Sequence, residues 1–300
     1  MASETRRPVL AAVGTQVHLD ALLDAASVEA AARGSDIGLV HVASGPGLLV
    51  PTSPDRLSLA DPPARQAALS RLYRAEQRLR ERTQGQVAVT TELLEGAVVD
   101  AVVARSAGAS VVVLQRGPEH RGRLTVLAHL GGIAARSHAP VLCVPSAWRR
   151  KEWDQRPVCV GVEPDPALSV VRTALEMAQR TTGTLRLVCV VEDPAYVETT
   201  LRDRVAPVLE EFPDVAAQVV AWRGRPVDAL LSESRECSAL VLGRHHHLLP
   251  VGSHLGPVVC ALLREAACPV LVVDPTVPAA RDQGPAKAAR PTVPGGLGGS

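Results

Sequence analysis

Glu95-Gly96-Ala97-Val98-Val99-Asp100-Ala101-Val102-Val103 recurs 128 positions later as Arg223-Gly224-Arg225-Pro226-Val227-Asp228-Ala229-Leu230-Leu231. Gly96 falls on Gly224, and Asp100 on Asp228. At the same offset Val111-Val112-Val113-Leu114 meets Ala239-Leu240-Val241-Leu242. Outward from these segments, each half closes on an apolar strand after a proline. These are Ala139-Pro140-Val141-Leu142-Cys143-Val144 and Cys268-Pro269-Val270-Leu271-Val272-Val273. Each half also opens on one, Pro8-Val9-Leu10-Ala11-Ala12-Val13 and Pro157-Val158-Cys159-Val160-Gly161-Val162. A unit this long is a duplicated domain, since solenoid repeats run to roughly 20–50 residues.

Each half reads as strands alternating with helices. Strands are expected near 8–13, 37–43, 86–91, 110–114 and 140–144, with helices near 18–33, 63–83, 97–107 and 125–138. In the second half strands fit 157–162, 184–191, 216–221, 238–242 and 269–273; helices fit 166–182, 195–211, 225–236 and 257–267. The strands are continuous apolar runs, as expected when helices cover both sheet faces. The alternation predicts an α/β fold: two tandem, open, mostly parallel five-stranded sheets of Rossmann-like form. The domains are expected at 1–145 and 157–274, with a linker at 146–156 and a disordered Pro-, Gly- and Ala-rich tail at 275–300. Residues 44–63 are rich in Pro, Gly and Ser, have no match in the second half, and read as a mobile loop.

Composition excludes several classes of function. The net charge is +1 over 300 residues, so no global field draws the chain to nucleic acid or an anionic membrane. Three Trp, two Tyr and one Phe are too few for base-stacking platforms. Lysine occurs only at Lys151 and Lys287, a bias expected of GC-rich bacterial coding. The six cysteines include no C-x-x-C pair and read as buried thiols of a reducing compartment. MASETRRPVL lacks a signal-peptide apolar region and no 18-residue apolar run follows, so a soluble cytoplasmic protein is expected. No G-x-x-x-x-G-K-[ST] loop, G-x-S-x-G elbow or G-x-G-x-x-G turn is present.

Parallel sheets bind ligands beyond the carboxyl ends of their strands, where strand order reverses. The second-half segment at that place runs Leu242-Gly243-Arg244-His245-His246-His247-Leu248-Leu249-Pro250-Val251-Gly252-Ser253-His254-Leu255-Gly256-Pro257-Val258. A helix and then Cys268-Pro269-Val270-Leu271-Val272-Val273 follow. Here the chain resembles the universal stress protein family, whose fourth strand is followed by G-x2-G-x9-G-[ST], a helix, and a C-P-V-L-V-V-like strand. Gly243 and Gly256 stand 13 apart, as that family's first and third glycines do. The resemblance covers about residues 8–145 and 157–274.

In ATP-binding members the resemblance implies an acid after strand one for the ribose and a strand-two valine for the adenine. It also implies glycines that admit the phosphates, and a Ser or Thr that opens a phosphate-facing helix. The nucleotide-contact set it implies here is Glu163, Val190, Gly243, Gly256 and Val258. His246 replaces the second glycine, and Pro257 replaces the Ser or Thr. Pro257 brings neither hydroxyl nor N–H, though it suits a first helical turn. The first half departs further. Gly14 stands where the acid belongs, Gln115 where the first glycine belongs, and Leu127-Ala128 where the final Gly-Ser belongs. That half is expected not to bind nucleotide.

The remaining residues have plainer readings. His245-His246-His247 point in different directions with no Cys or acidic partner at ligand spacing, so a solvated loop is expected and no metal. Glu163 reads equally as a ribose contact or a helix-capping acid, and Asp165 fits the cap better. Asp100 and Asp228 are placed to stabilise helix N-termini. His41 reads as a satisfied core histidine, and Leu175, Met177 and Ala178 as core. The resemblance implies a non-catalytic stress-response or signalling module with at most weak ATP binding in the second half. The alternatives are an adenine-nucleotide-dependent enzyme using that same pocket, or a scaffold binding protein through 44–63. The halves are expected to dock through their last strands, which leaves a homo-oligomer and an unidentified protein partner open.

Overall fold

The structure, a computed structural model, describes residues 6–15, 18–43, 62–117, 123–149, 154–194, 197–244 and 255–276. The first half runs β1 (Val9–Ala12), α1 (Asp20–Arg33), β2 (Ile37–Ala43), α2 (Pro62–Arg82), β3 (Val89–Glu95), α3 (Val98–Ser106), β4 (Val111–Arg116), α4 (Arg123–Arg136) and β5 (Val141–Pro145). The second repeats it: β6 (Val158–Val162), α5 (Leu168–Arg180), β7 (Thr184–Val191), α6 (Val197–Leu209), β8 (Ala216–Arg223), α7 (Pro226–Glu236), β9 (Ala239–Gly243), α8 (Pro257–Glu265) and β10 (Val270–Val273).

The strands form one ten-stranded sheet, ordered β3-β2-β1-β4-β5-β10-β9-β6-β7-β8. Every pairing within a half is parallel. Among the described residues the single antiparallel pairing is β5 with β10, where Leu142 faces Leu271 and Cys143 faces Val270. The last strands therefore close each other's edges, as expected of two apolar edges that would otherwise recruit foreign strands. The two five-stranded units are a continuous sheet related by a pseudo-twofold through Leu142 and Leu271.

Helices cover both faces, and the core forms two layers that each cross the junction. One layer holds the buried faces of α1, α2, α5 and α6 against alternate strand residues such as Val9, Leu39, Val160 and Leu187. The other holds α3, α4, α7 and α8 against Leu10, Val112, Cys159 and Leu240. This is why the strands read as unbroken apolar runs: successive side chains point to opposite faces, and both faces are dry. Leu175, Met177 and Ala178 are buried in α5, as expected.

The repeated glycines have a backbone reason. Gly96 and Gly224 join edge strands β3 and β8 to the helices that follow, at φ 111° and 124°. A Cβ at either would meet nothing within 4 Å, so conformation and not space requires glycine. The largest boundary difference is β3, expected at 86–91 and found at Val89–Glu95. Gln84 and Gly85 take φ of 51° and 72°, which carries the turn further along the chain. The strand then continues through an exposed edge, Thr90-Thr91-Glu92, whose polarity hides it from an apolar-run reading.

Beyond β10, Ser169 Oγ donates to Pro275 O at 2.8 Å, and Asp274 Oδ1 accepts from Thr276 N at 2.9 Å. Residues 277–300 lie outside the described residues, as do 44–61 of the loop expected at 44–63, whose last two residues, Pro62 and Pro63, instead open α2. Removing 277–300 is expected to leave the melting temperature within about 1–2 °C of the full chain by calorimetry. A fall of ten degrees would show that the tail packs on a domain.

Candidate functional site

In each half the first strand lies between its second and fourth, so strand order reverses there. The crevice falls at the carboxyl ends of β1 and β4, and again at those of β6 and β9. Register brings three of the expected residues to one end of the sheet, in two adjacent rows. Gly161 pairs with Leu242, and Val162 with Cys189. Continued, that register sets Gly243 beside Val162, and Glu163 beside Val190 one row beyond, at the ends of β9, β6 and β7. Gly256 is the N-cap of α8 and Pro257 its first residue, with Val258 partly buried behind them.

The sites of the two halves differ most at Gly243 and Gln115. In the first half the Gln115 side chain fills the position. It is buried, its Oε1 accepts from Leu22 N at 3.0 Å, and its Nε2 donates to His18 O at 2.8 Å. It thus caps the first turn of α1 from another strand, satisfying one of the amides a helix start leaves orphaned. In the second half Gly243 brings no side chain of its own to that position, and the Val170 side chain of α5 packs against it. A Cβ there would approach Val170 Cγ2 of α5 at 3.1 Å, so close packing alone also favours glycine.

His41 closes the same end of the first half. It is buried, and its Nδ1 lies 2.6 Å from Val13 O, which makes Nδ1 the donor and His41 a satisfied core residue. Its second-half counterpart is Cys189, whose thiol pKa is raised by burial and then by the Glu163 carboxylate. Glu163 itself is exposed. The helix after it begins at Leu168 with Ala167 as N-cap, so neither Glu163 nor Asp165 stands at the N-cap position. Asp165 instead pairs with Arg204 across 3.3 Å. The helix starts later than expected because Pro164 and Pro166 hold the chain extended.

The helix starts differ as well. Gly256 caps α8 without a side chain, and the first i→i−4 bond runs from Cys260 N to Gly256 O at 3.1 Å. The amides of Val258 and Val259 precede that bond and have no acceptor within the helix. In the first half α4 begins at Arg123, so Leu127 and Ala128 lie inside it and not at its start. Amides at those positions are engaged along the helix. The segment 245–254, with its four histidines including His245-His246-His247, lies outside the described residues. Among the described residues no group of three or more His, Cys, Asp or Glu is placed to hold a metal ion. Nor is any described helix long and apolar enough to cross a membrane.

Several polar contacts repeat that the sequence does not advertise. Ser106 and Ser234 are buried 128 apart, and each accepts an amide from the turn before the last strand, His138 N and Ala267 N. Arg116 and Arg244 are also 128 apart, and each crosses the junction. Arg116 donates to Leu263 O and Ala266 O at the end of α8; Arg244 donates to Ala135 O and Ser137 O at the end of α4. Arginine directly after a strand reads as a solvated charge. The signal that could have found this pair was its recurrence at the repeat's own offset. Asp100 and Asp228 occupy first helical turns as expected, and Asp100 also pairs with Arg136 of α4.

Comparison with known proteins follows the same division. The family model described as "Universal stress protein family" matches twice, at residues 5–145 and 155–274. A universal stress protein of Mycolicibacterium smegmatis is 25% identical over 91% of this chain and 99% of its own length. One of Mycobacterium tuberculosis is 26% identical over 64% of this chain and 68% of its own. Among solved structures, a universal stress protein from Archaeoglobus fulgidus aligns with a TM-score of 0.66 at 14% identity, covering 89% of this chain and 96% of that one. Two matches that together span most of the sequence place this chain in the universal stress protein family, with two family units in tandem.

Proposed function

We propose that this protein is a non-catalytic stress-response module that binds adenine nucleotide weakly, and only in its second half. Residues 1–145 form a domain whose nucleotide site is lost, 146–156 link the two, 157–274 form a domain that keeps part of the site, and 275–300 are a tail. The observation that carries this reading is the contrast between Gln115 and Gly243. One half sets a hydrogen-bonded glutamine side chain at the crevice, and the other sets a glycine there. The residues present fit ATP in part. Glu163 stands level with Val190, where a ribose and an adenine would lie side by side. The amides of Val258 and Val259 remain to face a phosphate, while Pro257 removes one donor amide and a hydroxyl. Six free cysteines among the described residues support a reducing, cytoplasmic setting.

Titration calorimetry with ATP tests the reading, paired with a phosphate-release assay. Weak binding that Gln115→Ala leaves unchanged and Glu163→Ala lowers is expected, without turnover above buffer. Micromolar or tighter binding, or steady phosphate release, would favour an adenine-nucleotide-dependent enzyme instead.

A further inference from the structure

The second half carries a group of side chains that its duplicate lacks. On the α7–α8 face of the sheet, Cys237 Sγ lies 3.5 Å from Cys268 Sγ, and Cys159 Sγ lies 3.8 Å from Glu233 Oε2. Glu233 Oε2 also accepts from Arg186 Nη1 at 2.8 Å, and Trp222 Nε1 donates to its Oε1 at 3.1 Å. The three thiols and Glu233 are buried. By the repeat's offsets the first-half counterparts are Leu10 for Cys159, Ala109 for Cys237 and Ala139 for Cys268. Leu10, Ala109 and Ala139 are equally buried. The fold therefore closes this layer without sulfur, and the thiols are not needed for packing alone.

We propose that Cys237 and Cys268 are a two-electron redox pair that closes to a disulfide under hydroperoxide stress. Cys237 ends α7, and Cys268 lies between α8 and β10. The bridge would tie α7 to the foot of β10, the strand that joins the two halves. In the first step one cysteine sulfur attacks the peroxide O–O bond of ROOH. The sulfur becomes a sulfenic acid, and ROH leaves. In the second step the other sulfur attacks that sulfenic sulfur, the S–S bond forms, and water leaves with the hydroxyl oxygen. The two thiols together lose two electrons and two protons, and the hydroperoxide accepts them.

The environment makes this a guarded pair. At Cys237 the hydrogen bond with Cys159 acts to lower the thiol pKa, but the Cys268 contact and burial outweigh it and raise it overall. The hydrogen bond with Cys237 and then burial raise Cys159 as well. Since the thiolate is the nucleophile, the closed fold protects the pair, and reaction proceeds through opening at the end of α7. Cys260, the one half-exposed cysteine among the described residues, is the internal comparison for unguarded chemistry.

The experiment treats the full-length protein with hydrogen peroxide, quenches, alkylates and digests with trypsin without reduction. Cys237 falls in fragment 236–244 and Cys268 in 265–281. The expected product is these two fragments joined, with two thiols lost, and full reversal by dithiothreitol. The oxidised protein should melt roughly 5–10 °C higher, from loop closure in the unfolded chain. Cys159→Ala should keep the cross-link. Cys237→Ala and Cys268→Ala should abolish it while folding normally, since alanine stands at both places in the first half. If either alanine variant fails to fold, the wild-type fragment map decides alone. Oxidation confined to Cys260, or a bridge from Cys237 to Cys159, would overturn the proposal.

Discussion

Replacing Arg244 with alanine is expected to destabilise the protein by about 3 kcal/mol, the largest loss at any single junction residue. Its side chain is 4% exposed. Nη2 donates to Ser137 O at 2.5 Å, and Nη1 is shared between Ala135 O at 3.1 Å and Asp274 Oδ2 at 3.4 Å. Two of these acceptors are carbonyls at the carboxyl end of α4, where a helix leaves acceptors unsatisfied and a cation is favoured. Burial lowers the guanidinium pKa against the opposing pull of Asp274. The group thus bears a desolvation cost that its contacts must offset. Truncation removes both, yet leaves buried carbonyls without donors and Asp274 without this partner, which is the costly case. Arg116→Ala repeats the deletion at the other side of the pseudo-twofold with a less buried side chain, so about 1–2 kcal/mol is expected. Differential scanning calorimetry should show Arg244→Ala melting about 6–10 °C low. Melting within two degrees of wild type would mean that the α4 carbonyls are satisfied without the arginine.

This pair of arginines marks how far the sequence could be read. The order of elements, the parallel pairings and the β5–β10 junction were legible because they rest on apolar runs, turn residues and an offset, all of which survive as pattern. Of the site, Glu163, Val190 and Gly243 could be pointed to only through the family resemblance, and the sheet places them at the same end in adjacent rows. The role of Gln115 was not legible. A glutamine at the end of a strand shows the loss of a glycine, but not that its amide reaches back to the first turn of α1. That contact joins residues 93 apart and depends on the rotamer of Gln115. The capping role given to Asp165 failed for a related reason: its partner, Arg204, is distant in the chain and competes with the local helix start. Edge strand β3 was displaced because its outer residues face water and lose the apolar signature of buried strands. Polar contacts between distant residues and partly solvated strands leave little local signal, whereas buried periodicity leaves a strong one.

Restoring the missing phosphate donors should strengthen ATP binding by about two powers of ten or more. The variant is His246→Gly with Pro257→Ser. Pro257 is the first residue of α8, after a Gly256 N-cap that has no side-chain bond to offer. Serine at 257 returns one backbone N–H and one hydroxyl to the helix start, where the dipole already favours an anion. Each hydrogen bond to a charged group is worth roughly 1.5–3 kcal/mol, so two such bonds set the scale. Proline fixes a φ that suits the first turn, and its loss frees the unfolded chain, so a stability cost of about 0.5–1 kcal/mol accompanies the gain. Glycine at 246 adds the second of the family's glycines, which the resemblance assigns to phosphate approach. The matched change in the first half should do nothing, because α4 starts at Arg123 and Gln115 still fills the crevice. Gly243→Val cannot serve as a clean loss-of-binding control: its side chain would press on Val170 and shift α5 whether or not nucleotide binds. Glu163→Ala, on an exposed side chain just beyond the end of β6, is the better control. Calorimetric titration of the double variant with ATP decides the matter. If its affinity equals that of wild type, the start of α8 does not face the phosphates, and the site assigned to the second half is wrong.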